Sequence, residues 1–290
     1  MKQVKRKLNQ TAKVKKVKLK NFRPQIRSRH PSHSPLRQEL PLNPFRAVIR
    51  LGSQTELGDE VSNGGERIEI NTAAACAISS DKQMMKEAFD DKKVRTAEWV
   101  NADDPIDISW FKDGGQVIVK PRFGSRGAGL RLLSSHKDLE AWSKGRDKEE
   151  YILEKYYPYV REYRLHVTEK GSFYSCRKML KKETPKEKRF YRNDSNCTWV
   201  LETNPDFDKP TSWKAIEVEC VKALKGVGLD FGACDVRVQS NVDSKGKPRK
   251  EVKFIIVEIN SAPSFGEITL EKYLEMLPAM LMSKHNNLKK

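Results

Sequence analysis

Two oxygen-bearing side chains, Glu258 and Asn260, close the otherwise apolar run Lys253-Phe254-Ile255-Ile256-Val257-Glu258-Ile259-Asn260, and a third, Asp235, stands in the strand-like stretch Cys234-Asp235-Val236-Arg237-Val238. Residues two apart on a strand face the same way. The polar link around Gly246 folds the two stretches into a hairpin, and pairing about that centre sets Asp235 roughly opposite Glu258. Three oxygen donors on one sheet face, unpaired by neighbouring bases in the sequence, suit a hard cation that keeps some of its waters and holds nucleotide phosphates. A lone Glu-x-Asn is common at strand ends, so the reading takes its weight from agreement with features upstream.

The first such feature is the loop Gly124-Ser125-Arg126-Gly127-Ala128-Gly129, which follows the strand-like run Gln116-Val117-Ile118-Val119-Lys120 and leads into Leu130-Arg131-Leu132-Leu133. It lacks the Lys-Ser/Thr ending of a Walker loop, and it joins strand to strand where a Rossmann turn joins strand to helix. Its glycines let backbone N–H groups approach phosphate oxygens and let the loop open and close. Lys120, just before it, places an ammonium toward the same phosphates. The bland alternative, a plain hairpin tip, applies to this loop taken alone.

These residues need a scaffold. A strand at 45–51 ends at Gly52, the glycine-containing stretch 55–67 reads as a loop, and helical segments follow from Thr72 onward with Ser80 or Asp81 as a cap. A helix at 135–143 precedes strands at 151–154 and 163–167, and a turn at Gly171 reverses the chain into 172–176. The basic stretch 178–196 reads as a mobile loop. Apolar positions Ile216, Cys220, Val221 and Leu224 recur at helical spacing from Trp213, and a last helix spans about 270–283. Hairpins outnumber helical crossovers, which predicts an α+β body built mainly on antiparallel sheet.

The formal charge of +17 resembles that of a nucleic-acid binder, but residues 1–38 hold 13 of the 56 bases and none of the 39 acids. The remainder is close to neutral. The first 40 residues, poor in large apolar side chains, are expected to be a disordered basic arm, either a solvated tail or a contact for nucleic acid or an acidic protein. No secretory leader or bilayer-length apolar run is present in the sequence, which argues for a cytoplasmic protein without a membrane partner. Five scattered cysteines without Cys-x-x-Cys spacing fit reduced thiols and not a zinc site.

Lys120-Pro121 with the glycine loop, Glu154-Lys155-Tyr156 followed by Glu162-Tyr163-Arg164, then Asp235, then Glu258-Ile259-Asn260 resemble in order and spacing the ATP-grasp superfamily, over roughly residues 72–275. Within it the chain looks most similar to carboxylate-amine ligases of the ribosomal-protein glutamate ligase kind, including stand-alone versions in tailed-phage genomes, which would work in the host cytoplasm. The resemblance implies two α+β subdomains whose antiparallel sheets grip ATP. Here these would be an ATP-grasp domain at 81–285, with a lid subdomain near 115–155 and a C-terminal subdomain near 156–285. It also implies that Lys82 and Lys120 contact phosphates beneath Gly124, Ser125, Gly127 and Gly129, that the backbone of Glu154, Lys155 and Tyr156 holds adenine, and that Glu162 binds ribose. Asp235, Glu258 and Asn260 match ligands of magnesium, or manganese in its place. Arg164, with Arg177 or Lys178 and with Arg192 competing, matches the cation set against the transferred phosphoryl group.

The implied activity is ATP-dependent, ADP-forming ligation of an amino acid or peptide to a carboxylate, through an acyl phosphate. One departure stands out: only about residues 41–80 remain for the N-terminal α/β piece that shapes the family's substrate pocket. A second reading, a nucleotide- or nucleic-acid-binding virion protein that uses its basic arm and has lost catalysis, competes with the enzyme.

Overall fold

The computed structural model describes residues 21–56, 67–242 and 246–288 of the chain. Three sheets organise it. A five-stranded antiparallel sheet in the order β10-β9-β8-β11-β12 is built from β8 (Arg161–Thr168), β9 (Gly171–Leu180), β10 (Cys197–Leu201), β11 (Phe231–Val238) and β12 (Phe254–Asn260). A four-stranded antiparallel sheet in the order β4-β7-β5-β6 uses β4 (Trp99–Asn101), β5 (Val117–Pro121), β6 (Arg131–Leu133) and β7 (Tyr151–Lys155). A small parallel sheet joins β1 (Gln25–Arg27), β2 (Arg46–Arg50) and β3 (Arg67–Ile70).

Alternation along the central strands separates a core face from a polar face. Tyr163, Leu165 and Val167 of β8 and Cys234, Val236 and Val238 of β11 are buried together under α5 (Trp213–Val227) and the pair α2 (Ala73–Ser80) and α3 (Lys82–Asp91). Glu162 and Arg164, and Asp235 and Arg237, occupy the alternate positions and so share the opposite face. A separate core under the four-stranded sheet gathers Val117, Val119, Leu133 and Leu153 with Trp110, and with Leu139 and Trp142 of α4 (His136–Ser143). Of the two caps expected, Ser80 or Asp81, the Asp81 carboxylate is the one that accepts the amide of Gln83, and Thr72 Oγ1 caps the preceding helix by accepting the amide of Ala75.

The N-terminal region departs from expectation. Residues from 21 onward are not a disordered arm: β1 pairs with β2, the short helix α1 (Leu36–Glu39) follows, and His33 and Leu36 are fully buried. Ile26, Leu36, Leu40 and Phe45 pack with Phe231 and with Tyr273, Leu277 and Leu281 of the C-terminal helix α6 (Glu267–Leu288). The N-terminal piece therefore starts well before residue 41. Residues 1–20, the rest of the proposed arm, and most of the expected loop at 55–67 lie outside the described residues. The stretch expected to be loop from residue 178 begins later, since β9 continues through Leu180, and the chain returns as the edge strand β10. All five cysteines are buried and free. No helix among the described residues is long and apolar enough to cross a membrane.

Candidate active site

The polar face of the five-stranded sheet and the glycine loop of the four-stranded sheet enclose a cleft of about 240 Å³. The hairpin pairing follows the sequence expectation: Asp235 lies directly opposite Glu258 and Ala233 opposite Asn260. A bulge after Asp235 adds Val257 as an extra residue in β12, so Val257, Glu258 and Asn260 all reach the cleft wall. Asn260 Nδ2 donates to Glu258 Oε1 at 3.2 Å and to the Ala233 carbonyl at 3.5 Å, which turns its Oδ1 away from both.

Asp235 is not free of bases. Arg164 donates to it through Nε at 2.7 Å and Nη2 at 2.9 Å, and Lys178 Nζ donates at 2.7 Å. The bases come from β8 and β9 and not from near neighbours in the chain. Lys178 also donates to Glu162 at 2.9 Å, and Arg237 Nε meets the other Glu162 oxygen at 3.1 Å. Burial pushes both carboxyls up, but these cations outweigh it and hold Asp235 and Glu162 well below the ordinary range. For Lys178, burial alone would lower the ammonium, and its two carboxylate partners raise it instead. The Trp199 ring covers the same bases, 5.1 Å from the Arg164 guanidinium carbon and 5.5 Å from Lys178 Nζ.

On the facing wall, Asp81 accepts from Arg122 Nη2 at 2.5 Å, and the Lys82 amide donates to the Arg122 carbonyl at 3.0 Å. Helix α3 is thereby tied to the end of β5, and Lys82 Nζ reaches the Gly124 carbonyl at 3.0 Å. Burial lowers the Lys82 ammonium, while the nearby Glu258 charge works in the other direction. Gly124, Ser125 and Gly127 line the cleft; Gly129 does not. A Cβ on Gly129 would lie 2.7 Å from the Pro121 ring, so this glycine closes the hairpin. At Gly127, φ is +78° and a Cβ would fall 2.8 Å from the Tyr191 ring. Asn193 Nδ2 donates to the Arg126 carbonyl at 2.7 Å, so the loop after β9 latches the glycine loop over the cleft.

Several sequence-derived assignments change. Arg177 alternates with Lys178 on β9, points to the other side of the sheet and pairs with Asp208, so it is not a cleft residue. Glu154 is buried between Lys120 at 2.6 Å and Lys86 at 2.8 Å. Burial raises its carboxyl, yet the two ammoniums bring it down to about 2. Neither Glu154, Lys155 nor Tyr156 lines the cleft. The Lys155 amide already donates to the Glu98 carbonyl and the Tyr156 amide to that of Gln116, so these two N–H groups are not available to a base. Arg192 does line the cleft; its guanidinium donates to the Lys178 and Val160 carbonyls and covers the Tyr159 ring. The sequence reading had missed Arg237, Trp199, Tyr191, Asn193 and His30, all of which line the cleft. Arg237 was legible, two residues from Asp235 on one strand; Trp199 was not, because no element was expected at 197–201.

Among the described residues no three His, Cys, Asp or Glu side chains converge to hold a metal. The hard-oxygen set consists of two carboxylates and one amide, and it needs phosphate and water oxygens to complete a coordination shell. The donors present fit that requirement in part: Asn260 offers its oxygen, and both Glu258 oxygens and Asp235 Oδ1 keep a lone pair beyond their hydrogen-bond partners, whereas Asp235 Oδ2 is taken up by Arg164 and Lys178.

No family model matches the sequence, and no curated protein matches it. Solved structures do. D-alanine–D-alanine ligase from Bacillus anthracis is 12% identical over 83% of this chain and 76% of its own, with a TM-score of 0.51. ATP-grasp ligase PsnB, complexed with a minimal precursor, is 14% identical over 82% of this chain and 79% of its own, with a TM-score of 0.53. N5-carboxyaminoimidazole synthetase from Staphylococcus aureus, complexed with ADP, is 16% identical over 78% and 56%, with a TM-score of 0.52. At such identities the likeness is one of architecture: two antiparallel sheets closing on a polar cleft give this chain the ATP-grasp fold.

Proposed function

We propose that the protein is an ATP-dependent ligase that forms ADP and joins an amine to a carboxylate. The observation that carries this reading is the meeting, in one cleft, of a lysine and glycine loop suited to phosphates with the Glu258–Asn260 pair and the bases Arg164 and Lys178. Similarity of fold supports it, to an ATP-grasp ligase in complex with a minimal precursor and to a synthetase in complex with ADP.

In the proposed reaction a carboxylate oxygen attacks the γ-phosphorus, the bond to the β-bridging oxygen breaks with its electrons leaving on ADP, and an acyl phosphate forms. An amine then adds to the acyl carbon and phosphate departs with the C–O electrons, the amine giving up a proton. Lys82 and the N–H groups of the glycine loop hold the phosphates in line, with Lys120 fixed behind them by Glu154. Arg164 and Lys178 stand where negative charge gathers on the transferred group, and such preorganised charge supplies most of the rate in phosphoryl transfer. Glu258, Asn260 and Asp235 are the residues that would hold magnesium, or manganese. When bound, that ion would supply positive charge to offset that of the ATP phosphates. The loop after β9 and the glycine loop exclude water from the acyl phosphate.

The test is ADP release with magnesium and panels of amino acids, peptides and carboxylates, followed by transfer of ¹⁸O from labelled carboxylate to phosphate. Labelled phosphate is expected; ADP release that never depends on a carboxylate would overturn the ligase assignment.

A further inference from the structure

Among the described residues of the N-terminal segment one side chain, His30, reaches the cleft, held by two parallel relays. The His30 amide donates to Ser28 Oγ at 3.1 Å, Ser28 Oγ lies 2.6 Å from His33 Nδ1, and His33 Nε2 donates to the Pro263 carbonyl at 2.7 Å. Burial lowers the fully buried His33, which keeps this anchor neutral. In the second relay the Phe265 amide donates to Ser32 Oγ at 3.0 Å, and Ser32 Oγ lies 2.7 Å from His30 Nδ1, which also accepts the Ser32 amide at 3.3 Å. A ring nitrogen that accepts a backbone N–H carries no proton. The neutral His30 ring is therefore protonated on Nε2, and Nε2 has no hydrogen-bond partner among the described residues. His30 lines the same cavity as Glu258, Asn260 and Arg164, on the wall formed by Pro263 and Ser264 just past the end of β12.

We infer that His30 Nε2–H is a substrate-positioning donor that holds the carboxylate oxygen not engaged in attack on ATP. The phosphate side of the cleft is supplied with full positive charges, whereas this wall offers neutral donors only, the His30 Nε2–H beside Ser264. A neutral N–H orients a carboxylate without draining the charge that makes its other oxygen a nucleophile, which a guanidinium or ammonium would do. The inference rests on the ligase reading above.

The test uses the full chain with ¹⁵N-histidine labelling, the His30 ring being assigned by its loss in His30→Gln. The free protein should show His30 as the Nε2–H tautomer. Under saturating magnesium and a non-hydrolysable ATP analogue, acetate, succinate and the free amino acids are added in turn. At least one should move the His30 Nε2 signal, and its affinity should fall roughly tenfold or more in His30→Ala, the loss expected for a hydrogen bond to a charged group. His30→Gln, which restores an N–H near that position, should recover most of it, and affinity for the analogue should stay unchanged in both variants. A His30 signal that moves with the analogue alone, an Nδ1–H tautomer, or no movement with any carboxylate while the analogue binds would each overturn the inference. Failure of the wild-type protein to bind the analogue at all would instead sink the nucleotide-site reading beneath it.

Discussion

Asp235 and Glu258 face one another across one hairpin, yet their surroundings set them different tasks. Asp235 is wedged among Arg164 and Lys178 and buried, so replacing it strands two bases away from water. Asp235→Ala should cost about 3–5 kcal/mol of stability as well as activity, read by denaturant unfolding. Glu258 accepts only from Asn260 among the described residues. Glu258→Gln should accordingly depress ADP release by about a hundredfold or more while the melting temperature stays put, since removal of preorganised transition-state charge costs on this scale. Glu154 makes a prediction about pH. Its folded value of about 2 lies below the ordinary 4.5, so its contribution is complete above the unfolded value and disappears as pH falls through the folded one. That contribution is on the order of 3 kcal/mol. Unfolding free energies of wild type and Glu154→Gln should differ by that order at pH 7 and converge toward pH 2.

At the scale of elements, the cleft is closed by two loops that meet tip to tip. The glycine loop between β5 and β6 can lie against the Tyr191 ring only because position 127 has no Cβ and tolerates φ of +78°. Gly127→Ala should force the latch apart. The expected signature is a roughly tenfold rise in the KM for ATP, together with a larger share of ATP hydrolysed without ligation, because water reaches the activated carboxyl. Product analysis of ADP against amide measures that ratio directly. The edge strand β10 has a related task, since Trp199 pairs with Lys178 across the ladder and spreads its ring over two bases of the site. The run Cys197-Thr198-Trp199-Val200-Leu201 is apolar, but that Trp199 falls beside Lys178 is set by the register with β9 across the intervening loop.

Across the whole molecule, the chain ends cooperate: residues 26–45 and α6 share one core with Phe231 of the central sheet. A solvated tail could be removed without loss, but deletion of residues 1–40 takes away Ile26, Leu36 and Leu40, each worth roughly 1.5–3 kcal/mol when buried. Such a truncation should melt far lower or aggregate, and it removes His30 as well; circular dichroism melts of the full and truncated chains decide this. Much of the molecule was legible beforehand. Period-two alternation fixed which residues of β8, β11 and β12 share a face, so Asp235, Glu258 and Asn260 could be brought together from their spacing, and Asp81 was a candidate cap for helix α3. Local pattern carries that information because it depends only on neighbours along the chain. It could not show that Asp235 takes its counter-charges from Arg164 and Lys178, that Arg177 turns its back on the cleft, or that Leu36 is buried. Those outcomes depend on which strand lies beside which and on what covers a sparse set of apolar side chains, and both are settled by contacts between residues far apart in sequence, which leave no periodic trace within any one segment.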